Sequence, residues 1–168
     1  QFLAQDGYDK APERIRMIYD AAISCGELSL HKDAIELESA VFAFTADRAS
    51  QPYHGQVIRG GDAAGLAGFK ERFEARFSDY EAVAQGWTLM ASFERAAALS
   101  SAGKLQHTGQ PLLAENIRNL TVKNGRLHKL DGNLSGVGWA KIDGAMAALS
   151  SLALLSTAPT WDASSMCA

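Results

Sequence analysis

The chain has 168 residues, of which 47% are hydrophobic and 21% are charged, and its formal net charge is −3. These values are typical of one globular domain with a single buried core, and they exclude collagen-like, disordered and disulfide-dense chains. No apolar run reaches the roughly 18 to 20 residues that a membrane span needs, so we expect no membrane partner. The acidic balance argues against a protein that binds nucleic acid over its whole surface.

The two cysteines, Cys25 and Cys167, are far apart in the sequence. Neither lies in a CxxC pair or near a histidine at metal-ligand spacing. A disulfide between them remains an alternative, but two reduced thiols in the cytoplasm are the favoured hypothesis. No signal peptide is present and the first residue is Gln rather than Met, so we expect the chain to begin inside a longer protein.

Helical patterns occur along most of the chain. A helix is expected after Pro12, with apolar residues at three- and four-residue spacing until Gly26. A second helix is expected to begin at Asp33, where Glu36 completes a capping box and residues 37–44 carry an apolar stripe. Further helices are predicted over about 63–77, 88–102, 112–119 and 143–157.

Short apolar segments predict strands at 56–59, 80–84 and 104–106. The clearest strand signal is a hairpin in which Asn124-Gly125 separates 121–123 from 126–129, because these two residues tolerate the positive φ angles of a type I′ turn. Segments 51–55 and 131–139 are expected to be loops, and 158–168 a frayed tail.

This order of elements favours an α/β domain with a mixed sheet flanked by helices. Two predicted helices precede the first clear strand, and few strands can be counted. We therefore expect the opening strands of the domain to lie upstream of Gln1.

Charge is distributed unevenly along the chain. Residues 1–103 carry 10 basic and 15 acidic groups, whereas residues 104–141 carry 6 basic and 2 acidic groups, a local excess of +4. A projecting basic hairpin can lie along a phosphate backbone, and a solvated hairpin with ordinary surface lysines is the alternative. The basic residues are Lys104, Arg118, Lys123, Arg126, Lys129 and Lys141.

Two aspartates are candidate metal ligands. Asp62 follows two glycines at the end of a predicted strand, the place where ligands gather in open α/β sheets, and Asp143 begins the last predicted helix. Carboxylates from two distant segments can share the divalent cations of a two-metal phosphodiesterase site. The structural alternative for each aspartate is an ordinary helix N-cap.

His107 follows a predicted strand and is a candidate for contacting phosphate or positioning a water, with a structural hydrogen bond as the alternative. Lys129 and Lys141 flank the glycine-rich loop and are candidates for neutralising phosphates. The sequence contains no GxSxG, HExxH, CxxC or P-loop pattern and no GxGxxG after a strand. An ATPase site within the chain is therefore not expected.

From about residue 81 onward the sequence resembles the C-terminal nuclease domain of the large terminase subunit of tailed bacteriophages. The clearest match covers 81–155, and a weaker one extends over 8–157. We take 1–157 as one nuclease-like domain that is incomplete at its N-terminus, followed by the flexible tail 158–168. The segments that carry the resemblance are Gln85-Gly86-Trp87 with Met90 and Glu94, Gly103 to Leu113 with its His-x-Gly-x-Pro-x-Leu order, Asn119, Asn124, Lys129, and Lys141-Ile142-Asp143-Gly144 at the start of an alanine-rich helix.

The resemblance implies an RNase H-like fold and a Mg²⁺- or Mn²⁺-dependent endonuclease that cuts concatemeric double-stranded DNA during genome packaging. Of the three acidic residues in the family's active site, the second corresponds to Asp62 and the third to Asp143. The first belongs to the opening strand and has no match, since Asp6 and Asp9 precede a helix. Lys104, His107, Lys123, Arg126, Lys129 and Lys141 become candidate DNA-binding residues.

The same resemblance implies a small terminase subunit and a portal protein as partners, and the host bacterial cytoplasm as the location. The family's ATPase domain would lie outside this chain. Two alternatives remain open: another RNase H-like nuclease, such as a resolvase- or transposase-like enzyme, and a catalytically silent fragment that docks onto portal or capsid.

Overall fold

The computed structural model describes residues 1–50, 59–62, 68–77, 80–84, 87–105, 107–130 and 140–157. This part of the chain contains seven helices and six strands, and 62% of it is helical. The helices are α1 (Gln5–Asp9), α2 (Glu13–Ser24), α3 (Ala34–Ser50), α4 (Phe69–Phe77), α5 (Trp87–Ser101), α6 (Pro111–Arg118) and α7 (Asp143–Thr157), and the strands are β1 (Phe2–Ala4), β2 (Ser29–His31), β3 (Gly60–Asp62), β4 (Glu81–Val83), β5 (Leu120–Lys123) and β6 (Arg126–Lys129).

The described strands form three two-stranded sheets rather than one sheet flanked by helices. β1 pairs with β2 and β3 pairs with β4 in parallel, whereas β5 and β6 form an antiparallel hairpin. The mixed α/β composition expected from the sequence is thus confirmed.

The N-terminal strand pair corrects the expectation that two helices precede the first strand. β1 begins at Phe2, and Phe2 and Ala4 lie opposite Ser29 and His31 of β2. The reason given for placing the opening strands upstream of Gln1 is therefore wrong. Three-residue strands are too short to show an alternating pattern, and their pairing depends on a segment about 27 residues away. The segment after β1 is helix α1, which contains both Asp6 and Asp9.

The strand predicted at 104–106 is wrong for its first two residues, and Gln106 lies outside the described residues. Gly103 has a φ of 67°, and the backbone N–H groups of Lys104 and Leu105 both donate to the carbonyl of Leu99, at 2.9 and 3.3 Å. These donors complete the last turn of α5 and are not available to a sheet.

The strand predicted at 56–59 is wrong at Arg59, which precedes β3 and contributes its carbonyl, the acceptor of the Glu81 N–H at 2.8 Å. Local signals predicted several other described elements. Asp33 accepts the N–H groups of Ile35 and Glu36 at 3.0 and 2.9 Å, so the predicted cap at the start of α3 is confirmed. The turn between β5 and β6 has positive φ at both Asn124 and Gly125, as the hairpin signal requires. The expectations for 51–58, 63–67, 131–139 and 158–168 lie outside the described residues.

Two apolar clusters form the described core. The first, which we call the α2 cluster, lies where α2 packs against α6. The second, the α7 cluster, lies where α5, β3 and β4 pack on the C-terminal half of α7. The α2 cluster contains Ala11, Ile15, Tyr19, Ala22, Leu28 and Leu112, and the α7 cluster contains Val83, Leu89, Leu149, Ala153 and Leu154.

None of the described helices combines the length and the apolar character that crossing a bilayer requires. Helix α7 instead connects the two clusters: its first turn contacts α6, and its later turns pack on α5. Asp143, the first residue of α7, therefore lies between the α2 cluster and the α7 cluster.

Candidate functional site

A cavity of about 150 Å³ opens beside the first residue of α7. Its apolar wall is formed by β1, the segment before β2 and the start of α6, through Phe2, Leu3, Leu28 and Leu112. Its polar wall is formed by Gln1, Tyr19, Asn116, Lys141 and Asp143. Lys141 and Asp143, which the sequence singled out, therefore line the same cavity.

The carboxylate of Asp143 does not cap the helix that it begins. Asp143 is exposed, and its side chain makes no hydrogen bond or ion pair with the part of the chain that the structure describes. The N–H of Gly144 donates instead to Oδ1 of Asn116 at 2.8 Å, and the N–H of Met146 donates to the carbonyl of Ile142 at 2.8 Å. The N-cap alternative is therefore not observed, and the carboxylate is available to a ligand.

Two buried asparagines, Asn116 in α6 and Asn119 at the C-terminal cap of α6, hold the start of α7 in place. Asn116 is 1% exposed, and its Nδ2 donates to the carbonyl of Leu112 at 2.8 Å while its Oδ1 accepts the Gly144 N–H. Nδ2 of Asn119 donates to the carbonyl of Lys141 at 3.1 Å, and its own carbonyl accepts the N–H of Leu130 at 2.7 Å. Asn119 thus joins Leu130, which follows β6, to Lys141, which lies two residues before Asp143.

Glu27 anchors α6 from the opposite side. This carboxylate is 8% exposed and accepts the N–H groups of Leu112 and Leu113 at 2.8 and 2.7 Å, at the N-terminus of α6. Free N–H groups and the helix dipole both favour negative charge at this place. Neither Glu27 nor Asn116 was identified as a site residue from sequence. A polar residue on the apolar face of a helix, four residues after Leu112, was the available signal for Asn116.

Tyr19 is the buried member of the polar wall, at 4% exposure. Burial raises the pKa of its phenol, and the negative charge of Asp143 raises that pKa further. Its hydroxyl makes no hydrogen bond to a described residue, although its ring lies against that of Tyr8 with centroids 6.3 Å apart. A phenol is protonated at neutral pH even at its ordinary pKa of about 10, so this hydroxyl can donate a hydrogen bond beside the cavity.

Asp62 is the last residue of β3, opposite Val83 of β4. The placement of its side chain lies outside what the structure describes, so its pairing with Asp143 stays a prediction. β3 packs on α7, and a Cβ built on Gly60 would lie 3.0 Å from Leu154, about three helical turns beyond Asp143. Within the described ranges no three His, Cys, Asp or Glu side chains come together as a metal site.

The hairpin divides its basic residues between two faces. Cross-strand pairing places Lys123 opposite Arg126 and Thr121 opposite His128, so these four share one face. Lys129 lies opposite Leu120, on the other face, where Leu120 and Leu127 pack against the α7 cluster. We call the polar face the basic face; it includes the exposed His128, which two-residue alternation could have identified.

The other predicted DNA-binding residues lie away from that face. His107 is exposed, and its Nδ1 accepts the N–H of Gly109 at 3.0 Å, which is the structural alternative considered for it. Lys104 is exposed just after α5, and Arg118 forms an ion pair with the buried Glu115 at 3.7 Å. The basic excess of segment 104–141 is therefore not one continuous patch.

We compared the chain with family models, with curated proteins and with solved structures, and no match was found in any of the three comparisons.

Proposed function

We propose that this chain is the metal-dependent endonuclease domain of a phage genome-packaging terminase, with an RNase H-like fold, cutting double-stranded DNA. The observation that carries the proposal is the carboxylate of Asp143, unpaired among the described residues, beside Lys141 at the mouth of a cavity. The buried hydrogen bond from Gly144 to Asn116 fixes this position. A carboxylate held ready by other residues, rather than capping its own helix, is what a cation site needs.

The donor set fits Mg²⁺ or Mn²⁺ in part. These cations prefer carboxylate oxygens and complete their coordination with water and substrate phosphates, so one or two carboxylates suffice from the protein. Asp143 would be one ligand and Asp62 the other. The bound cations supply positive charge that stabilises the attacking and leaving oxygens of a phosphodiester.

The remaining residues of the chain would bind and orient DNA. Lys141 lies beside Asp143 and neutralises a phosphate near the reacting bond, while Lys123 and Arg126 of the basic face attract the backbone further away. Asn119 connects these two regions because it bonds both to the residue after β6 and to Lys141. In this proposal, a small terminase subunit and a portal protein bind the domain in the host cytoplasm.

The test is plasmid cleavage with Mn²⁺ or Mg²⁺, comparing the chain with the Asp143→Ala and Asp62→Ala variants. We expect each substitution to lower the cleavage rate by at least about 100-fold, because a ligand that would hold the catalytic cations is lost. Asp47→Asn is the matched control, since Asp47 is an exposed aspartate on α3 and should leave the rate unchanged.

An N-terminally extended chain is tested in parallel because the first carboxylate of the family pattern has no match. Cleavage by the extended chain alone supports the proposal and assigns the missing ligand to the upstream segment. An extended chain that leaves the plasmid intact contradicts the proposal and favours the docking fragment. Equal cleavage by the alanine variants contradicts the assignment of Asp62 and Asp143.

A further inference from the structure

We propose that the cavity beside Asp143 is a pocket for a single nucleotide, which takes one unpaired pyrimidine base of the DNA strand while the adjoining phosphate lies at the rim. This inference rests on the proposed function, since it names the part of the DNA that enters the same site. It is argued from the size of the cavity, the chemistry of its walls and the hydroxyl of Tyr19, a residue that is itself buried.

The size of the cavity fits one aromatic ring. Its volume is about 150 Å³, and an engineered protein cavity of that volume with apolar walls binds benzene. Leu3, Leu28 and Leu112 supply a comparable apolar wall here, and Phe2 adds an aromatic ring. A pyrimidine has one six-membered ring and is the base closest in size to that ligand, so the larger fused rings of a purine should fit this cavity less well.

The polar wall supplies the groups that would orient a base. The hydroxyl of Tyr19 is a donor with no described partner, although the side chain is 4% exposed, and the carbonyl oxygens of a pyrimidine are acceptors. Because the Tyr19 oxygen is not among the fully enclosed side-chain atoms of the described residues that lack a partner, it stays accessible, and a base that enters the cavity can accept its hydrogen bond. Lys141 at the rim then lies where the phosphate of the same nucleotide emerges.

A base in a duplex cannot reach this pocket without leaving the helical stack. Extrusion of a base breaks its pairing and stacking, and this cost is lowest at a mismatch or in a single strand. We therefore expect faster cleavage where a pyrimidine at the cut site is mismatched than where it is paired.

The test measures nucleotide binding by NMR titration in EDTA, so that no metal or catalytic activity is needed. The probes are dTMP, thymidine, inorganic phosphate and dAMP. We expect dTMP to bind more tightly than either thymidine or phosphate, and dAMP to bind at least about 5-fold more weakly than dTMP. Tyr19→Phe should weaken both dTMP and thymidine by about 3- to 10-fold, the effect of one lost hydrogen bond. Lys141→Gln should weaken dTMP and leave thymidine unchanged.

Tyr8→Phe is the matched control, because the Tyr8 hydroxyl donates to Asp20 at 2.6 Å on the exposed surface. Equal losses in Tyr8→Phe and Tyr19→Phe overturn the role of Tyr19. Binding of p-cresol without thymidine overturns the nucleotide pocket and indicates an aromatic side chain of a protein partner instead.

The two proposals fail separately. If Asp143 is required for cleavage but no nucleotide binds, the pocket is overturned and the nuclease stands. If dTMP binds with the expected variant pattern while no extended chain cuts DNA, the pocket stands and the nuclease proposal is overturned.

Discussion

The α2 and α7 clusters are built from different kinds of interaction. Around the α2 cluster, four buried polar side chains, Glu27, Glu115, Asn116 and Asn119, join segments that are distant in sequence. The buried polar residues beside the α7 cluster are the small Ser92 and Ser150, and its core is formed by valine, leucine and alanine. The cavity adjoins the first cluster and not the second.

This difference shows where the chain fixes positions and where it gains stability. A buried carboxylate or amide is costly unless its partners are in place, so it favours one arrangement over near alternatives. Apolar packing is less directional and stabilises in proportion to the area buried. Helix α7 uses both: polar contacts set its first turn at the site, and apolar contacts hold its later turns.

The largest expected effect is in the apolar cluster. Leu89 is 0% exposed, and Leu89→Ala should lower the free energy of unfolding by about 2–5 kcal/mol, because it removes apolar contacts and leaves a void. Chemical denaturation measures this change. Leu155→Ala, at a position 67% exposed on α7, is the control and should change stability by less than about 0.5 kcal/mol. Equal losses in both variants would remove the proposed role of the α7 cluster.

A smaller loss is expected from the buried amide in the first cluster. Asn116→Leu should lower the free energy of unfolding by about 1–3 kcal/mol, because the Gly144 N–H loses its acceptor. Hydrogen exchange at Gly144 should become faster in the same variant.

Ser150→Ala tests whether a buried polar side chain beside the α7 cluster matters less for stability than Asn116 does beside the α2 cluster. Ser150 is 7% exposed, and its hydroxyl has no hydrogen-bond partner in the described part of the chain, so we expect a change within about 0.5 kcal/mol. A loss as large as that of Asn116→Leu would show that the two clusters do not differ in this way.

The titration of Tyr19 examines the cavity wall. Since the pKa of this phenol is raised in the folded state, the free energy of unfolding should be steady below about pH 10, the ordinary value for tyrosine, and fall as pH rises through the higher folded pKa. Tyr19→Phe should remove that part of the decline. Asp143→Asn should lower the pKa of Tyr19, as followed by tyrosinate absorbance.

Asp20→Asn is the control for that titration, because Asp20 accepts a hydrogen bond from Tyr8 and raises the pKa of Tyr8 instead. A titration of Tyr19 that is insensitive to Asp143→Asn would separate the phenol from the proposed site.

The smallest expected effect lies outside both clusters, where Arg72 of α4 binds Glu38 of α3 through two hydrogen bonds of 2.7 and 2.6 Å. The guanidinium of Arg72 lowers the pKa of Glu38. The Arg72–Glu38 pair should therefore stabilise the folded state above the ordinary glutamate pKa of about 4.3. This contribution should disappear as pH falls through the lowered pKa of Glu38. A double-mutant cycle with Arg72→Gln and Glu38→Gln at two salt concentrations measures it, and high salt should weaken the coupling. Coupling unchanged at low pH would contradict this assignment.

Sequence alone determined the elements whose signals are local. The Asp33 cap, the Asn124-Gly125 turn and the start of α7 at Asp143 each depend on a few neighbouring residues, and each was predicted where it occurs. The count of charges by segment also located the basic hairpin. It did not show that Lys123 and Lys129 lie on opposite faces of that hairpin.

Only the tertiary structure decided the rest, because those features depend on residues far apart in sequence. The pairing of β1 with β2, the bond from Gly144 to Asn116 and the capping of α6 by Glu27 join positions about 27, 28 and 85 residues apart. No local pattern encodes such partners, since each residue is compatible with many others until packing selects one. The cavity beside Asp143 depends on several of these long-range contacts. The sequence shows which residue types could line it, but only the tertiary structure shows that they lie together.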